Sequence, residues 1–126
     1  MEELEFGDEN KIFGPKVNYT VRKGTKWSVK VEINDTVEVM VPLDEDGMMI
    51  FDKHGDEHGL VTAVITDVEA CLFKDLPEKV YKHLHNPKSR NKRGLEKAMD
   101  RAYGEHSWDE QIVTYVGFII LEIEDD

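Results

Sequence analysis

The chain of 126 residues has little cysteine and no long hydrophobic run, and over two stretches it has no acid at all. Its one cysteine, Cys71, has no partner within the chain and sits among apolar residues. That excludes an intrachain disulfide framework, leaves nothing pointing to an oxidising compartment, and predicts a buried thiol packed as a small hydrophobe. The longest apolar run, Val116 to Leu121, is far too short to cross a bilayer. The start, Met1-Glu2-Glu3-Leu4-Glu5, is acidic where a signal or transit peptide would be basic. A soluble protein of cytoplasmic type, with no membrane partner, is the expectation. Internal repeats and low-complexity linkers are also lacking, and the length suits one domain with its own core.

Charge is abundant but segregated. The formal net charge is −11, which by itself opposes a polyanionic partner. Residues 10–31 nevertheless carry Lys11, Lys16, Arg22, Lys23, Lys26 and Lys30 without one Asp or Glu, and residues 79–95 carry Lys79, Lys82, Lys88, Arg90, Lys92 and Arg93 in the same way. These windows hold 12 of the 16 bases, so +12 stands against −23 in the remainder. If the turn at Arg22–Trp27 and the loop at Lys88–Arg93 converge, they form a basic groove suited to a phosphate backbone. Arg22 and Arg90 are the strongest phosphate candidates, because a guanidinium fork binds two oxygens at once. Lys23, Lys26, Lys88, Lys92 and Arg93 add charge. Trp27 offers either a stacking face for a base or a buried anchor.

Periodicity gives the elements. Residues 1–9 read as an acidic leader and 10–126 as a single domain. Trp27, Val29, Val31 and Ile33 alternate as one face of a strand, Asn34-Asp35 supplies a turn, and Val37, Val39 and Val41 repeat the alternation, which predicts a hairpin. Asp44-Glu45-Asp46-Gly47 is a second turn before a short strand at Met48–Phe51, and Asp56-Glu57-His58-Gly59 is a third before a strand at Leu60–Val68. Asp75-Leu76-Pro77-Glu78 has the form of a capping box opening a short helix with Leu76, Val80 and Leu84 inward, stopped by His85-Asn86-Pro87. Leu95, Ala98, Met99 and Ala102 mark a second helix ending before Gly104, after the basic loop Lys88–Gly94. Ile112–Ile123 is a central closing strand with a bulge or bend at Gly117, followed by an acidic tail. The fold class is α+β: a small, mixed, mostly antiparallel β-barrel with two short helices.

Chemistry is suggested by Lys16 and Thr20. A threonine hydroxyl attacks only when a base removes its proton, and a lysine can serve as that base only if neighbouring cations such as Arg22 and Lys23 lower its pKa. Asp52-Lys53-His54-Gly55-Asp56-Glu57-His58 mixes carboxylates and imidazoles but matches no metal-site spacing, so no metal or other cofactor is expected.

Several segments together resemble the ASCH domain family, relatives of the PUA-like barrels. Gly14-Pro15-Lys16 followed by Thr20-Val21-Arg22 and a basic turn running into Trp27 is similar to the family's opening. Ile33-Asn34-Asp35-Thr36-Val37 is similar to its first hairpin, with Asn in place of Gly. Phe73-Lys74-Asp75-Leu76 resembles its passage from strand to helix, Gly94 through Tyr103 its second helix, and Val113–Phe118 its closing strand. The resemblance implies a PUA-like fold and a cleft that takes RNA, a nucleotide or a modified nucleoside. Some ASCH proteins remove the acetyl group of 4-acetylcytidine with a Lys/Thr pair assisted by a Glu, and others are thought to be ribonucleases. Position by position, Lys16 and Thr20 match the pair, but they stand four positions apart where the residues of those enzymes stand three apart. Glu78 is the acid available for the third role, and His83 or His85 would be an alternative base. A binding module, an enzyme and a protein-interaction domain with an acidic working face are the three readings carried forward.

Overall fold

The computed structural model describes residues 2–6, 12–53 and 57–121. Five strands, β1 (Glu2–Leu4), β2 (Val17–Lys23), β3 (Thr36–Leu43), β4 (Glu57–Leu72) and β5 (Ile112–Ile120), form one sheet in the order β1-β3-β4-β5-β2. β1 runs parallel to β3, and every other pairing is antiparallel. The α+β class holds, but the barrel does not close. β1 is only three residues long and pairs with β3 alone, while β2 sits at the opposite edge. Three helices are present where two were expected: α1 (Lys26–Lys30), α2 (Glu78–Lys82) and α3 (Lys92–Tyr103), with 3₁₀ turns at Phe73–Asp75 and Pro87–Ser89.

The sheet buries one apolar cluster on each face. On the first lie Val37, Val39 and Val41 of β3, Ala63 and Ile65 of β4, and Phe118 of β5. On the second, Tyr19, Val21 and Tyr115 meet Val80 of α2 and Leu95 and Met99 of α3. A bulge in β4 between Ile65 and Asp67 shifts the register, so that odd-numbered residues face the first cluster before it and Val68 faces it afterwards. The bulge therefore belongs to β4 and not to Gly117. That glycine is required for close approach, since a Cβ there would stand 2.8 Å from the Tyr19 ring and 3.1 Å from Asp67 Cβ.

The expected hairpin from Trp27 is absent. β3 already has β1 on one side and β4 on the other, so residues 27–33 find no open edge. The chain turns at Gly24, with φ 79°, and coils into α1, with the Ser28 hydroxyl donating to the Thr25 carbonyl at 2.6 Å. Val31 is buried, but Val29 is 85% exposed and Ile33 55%. The turn at Asn34-Asp35 forms as expected, with Asn34 at φ 75°. The acidic leader also begins inside the sheet: Leu4 pairs with Val39 and has no exposed surface. Residues 7–9 of that leader, Lys11, His54–Asp56 and the tail from Glu122 lie outside the described residues.

Elsewhere the boundaries move. Glu57, His58 and Gly59, read as a turn, start β4, and among the described residues Met48–Phe51 forms no named strand and makes one isolated bridge, between Leu43 and Met49. Leu76, Val80 and Leu84 are buried as expected, but α2 carries only Val80, with Leu76 before it and Leu84 after it. The capping box is not used, because α2 starts after Pro77 with no side-chain cap and Asp75 lies in the preceding 3₁₀ turn. α3 begins at Lys92, capped by Asn91 Oδ1, which accepts from the Gly94 amide at 2.8 Å, so half of the supposed basic loop is helix. Cys71 is half-buried, and burial, with Glu69 and Asp75 nearby, pushes its thiol pKa up and keeps it protonated at neutral pH.

Candidate functional site

Register decides what β2 can present. Asn18, Thr20 and Arg22 pair with Phe118, Val116 and Thr114 of β5, so their side chains lie on the first-cluster face, opposite Tyr19 and Val21. Asn18 is buried and fixes the loop before the strand. Its Oδ1 accepts from the Gly14 amide at 2.8 Å, and its Nδ2 donates to the Gly14 and Lys16 carbonyls at 3.1 and 3.2 Å. Lys16 itself is exposed. Thr20 is only 2% exposed, and its hydroxyl accepts from Arg22 Nε at 3.2 Å.

Arg22 is committed to the fold. Besides Thr20 it donates to the Glu5 carbonyl, and its guanidinium lies 5.1 Å from the centre of the Phe6 ring and 5.7 Å from that of Trp27. Burial lowers its pKa, opposed by the nearby Tyr103 and Glu5. Trp27 is half-buried against the first cluster and also carries Lys30 Nζ at 4.5 Å, while Lys30 is paired with Glu2 at 3.1 Å. Glu5 and Phe6 were missed in the sequence. The available signal was a lone aromatic at the end of an acidic stretch, which is out of place in a solvated leader.

The second basic window reaches β2 directly. Leu84 bridges Tyr19 in parallel: the Tyr19 amide donates to the His83 carbonyl at 2.8 Å, and the His85 amide donates to the Tyr19 carbonyl at 3.1 Å. Arg90 Nε then donates to the Leu84 carbonyl at 3.0 Å. The two acid-free windows are thus hydrogen-bonded to one another along the outer edge of β2. Within them Lys79 is engaged by Asp67 at 2.6 Å and Lys92 by Asp109 at 2.7 Å. Lys16, Lys23, Lys26, Lys82, Lys88, Arg90 and Arg93 form no salt bridge among the described residues.

Thr20 and Glu78, read as members of one catalytic set, are not brought together. Glu78 is exposed on α2, which packs Val80 into the second cluster, on the far side of β2 from the Thr20 hydroxyl. His83 is exposed. The Tyr19–Leu84 bridge places His85 next to Thr20 on the same face, its ring 4.4 Å from Phe6 and its Nδ1 3.3 Å from the Tyr19 carbonyl. On the opposite face Tyr19 donates to Asp67 at 2.9 Å and Tyr115 to Glu69 at 2.6 Å, next to Lys79. Among the described residues no group of three His, Cys, Asp or Glu is placed to hold a metal ion, and no helix is long and apolar enough to cross a membrane.

No family model matches the sequence, and no curated protein matches it. The fold is similar to the crystal structure of an ASCH domain from Lactobacillus crispatus JV V101, with a TM-score of 0.48, 15% sequence identity, and 87% of this chain and 67% of that chain covered.

Proposed function

We propose that this chain is an ASCH-type domain that binds RNA or a nucleotide along the outer edge of β2. The observation that carries the reading is the hydrogen-bonded union of the two acid-free windows at Tyr19, His83–His85 and Arg90. It gathers cations that form no salt bridge among the described residues, on a chain whose remaining residues are acidic overall and repel indiscriminate polyanion binding. Lys88, Arg90 and Arg93 are the binding residues of greatest weight. Lys92, held by Asp109, contributes least.

The test is salt-dependent RNA binding. Changing Lys88, Arg90 and Arg93 together to Gln lowers affinity and reduces the slope of log K against log salt by about 2, roughly 0.7 for each single-strand phosphate that is no longer neutralised. A wild-type affinity that does not change with salt rejects the proposal. A second reading, an acyl hydrolase acting on an acylated cytidine, is favoured by one observation: Thr20 and His85 share a face. In that reading His85 replaces the carboxylate as base, because Glu78 is on the wrong side. Equal 4-acetylcytidine turnover in wild type and Thr20→Ala removes it.

A further inference from the structure

An unpaired base is recognised by stacking on an accessible aromatic face. Trp27 does not offer one, since it is half-buried and already faces two cations, Arg22 and Lys30. Among the described residues Tyr103 is the aromatic side chain most open to solvent, 38% exposed. It is the last residue of α3, and Gly104, at φ 84°, reverses the chain immediately after it. The returning segment supports the ring from beneath. Trp108 is buried, donates from Nε1 to Asp100 Oδ1 at 2.7 Å, and meets Tyr103 edge-on at 6.2 Å between ring centres. The ring is thereby fixed at its base, with more than a third of the residue in solvent.

The neighbouring cations come from β2. His106 packs on Trp108 at 4.7 Å, and its Nδ1 lies 2.8 Å from the Gly104 carbonyl. With the proton on Nδ1, that nitrogen donates to the carbonyl and leaves Nε2 to accept from Lys23 Nζ at 3.3 Å. Lys23 is therefore drawn to the segment under Tyr103 and forms no salt bridge among the described residues. Arg22, one residue earlier, is close enough to feel Tyr103 electrostatically.

We propose that Tyr103 is the stacking platform for an unpaired base of single-stranded RNA, with Lys23 on the adjoining phosphate. The inference rests on the reading of the β2 edge as an RNA-binding surface and gives that surface a preference for single strands. It is tested with the full chain, an end-labelled oligouridylate, and an RNA hairpin stem. Tyr103→Leu, which keeps apolar bulk on Trp108 but removes the π face, weakens oligouridylate binding by about 5- to 150-fold, the range for one stacked base. The salt slope and the affinity for the stem stay as in wild type, and Tyr103→Phe, which keeps the ring, restores single-strand affinity. If Tyr103→Leu binds oligouridylate like wild type while the Lys88/Arg90/Arg93 triple variant is weakened, the platform is wrong and the β2-edge reading stands. If Tyr103→Leu weakens stem and single strand equally, the ring is structural and the proposal is overturned. If the wild type binds neither RNA at low salt, both fall together.

Discussion

Replacing Gly94 by Ala should destabilise this protein, although the same change inside a helix normally stabilises it. Gly94 lies in the first turn of α3, where relief of glycine's excess backbone freedom is worth roughly 0.5–1 kcal/mol in favour of alanine. Against this, a Cβ at Gly94 would stand 1.9 Å from the Lys88 carbonyl oxygen, 3.0 Å from its carbon, and 3.3 Å from Asn91 Oδ1. The obstacle is backbone, and it is tied down. The Lys88 amide donates to Asn86 Oδ1 at 3.0 Å, the Ser89 amide to the Asn86 carbonyl at 2.9 Å, and Arg90 Nε to the Leu84 carbonyl at 3.0 Å. Overpacking of this kind costs about 1–3 kcal/mol, and each turn hydrogen bond broken to relieve it adds about 1 kcal/mol. The clash outweighs the propensity gain, for a net loss of roughly 1–3 kcal/mol. Urea unfolding monitored by Trp fluorescence measures it, and Tm falls by roughly 3–6 °C per kcal/mol at this chain length. Because the displaced segment carries Lys88 and Arg90, the RNA affinity proposed above should fall in parallel. A Gly94→Ala variant as stable as wild type would show that the packing of the Pro87–Ser89 turn against α3 is not as described, and the reasoning would fail with it.

Gly117→Ala forces Tyr19 away from its seat and should cost about 1–3 kcal/mol, with a Tyr19→Leu/Gly117→Ala double variant losing less than the sum of the single changes. Additive losses in urea unfolding would refute the clash. The phenol pKa values of Tyr19 and Tyr115 are pushed well above their ordinary range, first by burial and then by hydrogen bonds to Asp67 and Glu69. A raised pKa means that the folded state favours the protonated phenol. The stability it contributes is complete below the unfolded value of about 10 and is lost as pH climbs beyond it. Stability should therefore drop above about pH 10, and Tyr19→Phe/Tyr115→Phe should flatten that drop in an alkaline urea series.

The elements legible in the sequence were those whose pattern is decided locally. The alternation of Val37, Val39 and Val41 and the buried positions Leu95 and Met99 of α3 each follow from one face of one element meeting a core. Trp27–Ile33 shows the same alternation and is not a strand, because a strand needs a free edge and β3 has none. Glu2–Leu4 is the converse case: too short and too acidic to signal a strand, it is the segment that occupies the edge of β3 opposite β4, through Val37–Val39.

The candidate site divides in the same way. Charge segregation is a property of composition and order, so the two basic windows could be read directly from the chain. Their union could not, because it depends on Leu84 bridging Tyr19 across more than sixty residues of sequence. Nor could the sequence show which cations are spent internally. Arg22 held by Glu5, Phe6 and Thr20, Lys79 held by Asp67 and Lys92 held by Asp109 are indistinguishable in sequence from Lys88 and Arg93, which form no salt bridge among the described residues. The sequence by itself determined how charge and apolar periodicity are distributed along the chain, since both are local. The tertiary structure alone decided which faces, edges and cations remain unoccupied, since occupancy depends on partners distant in the chain.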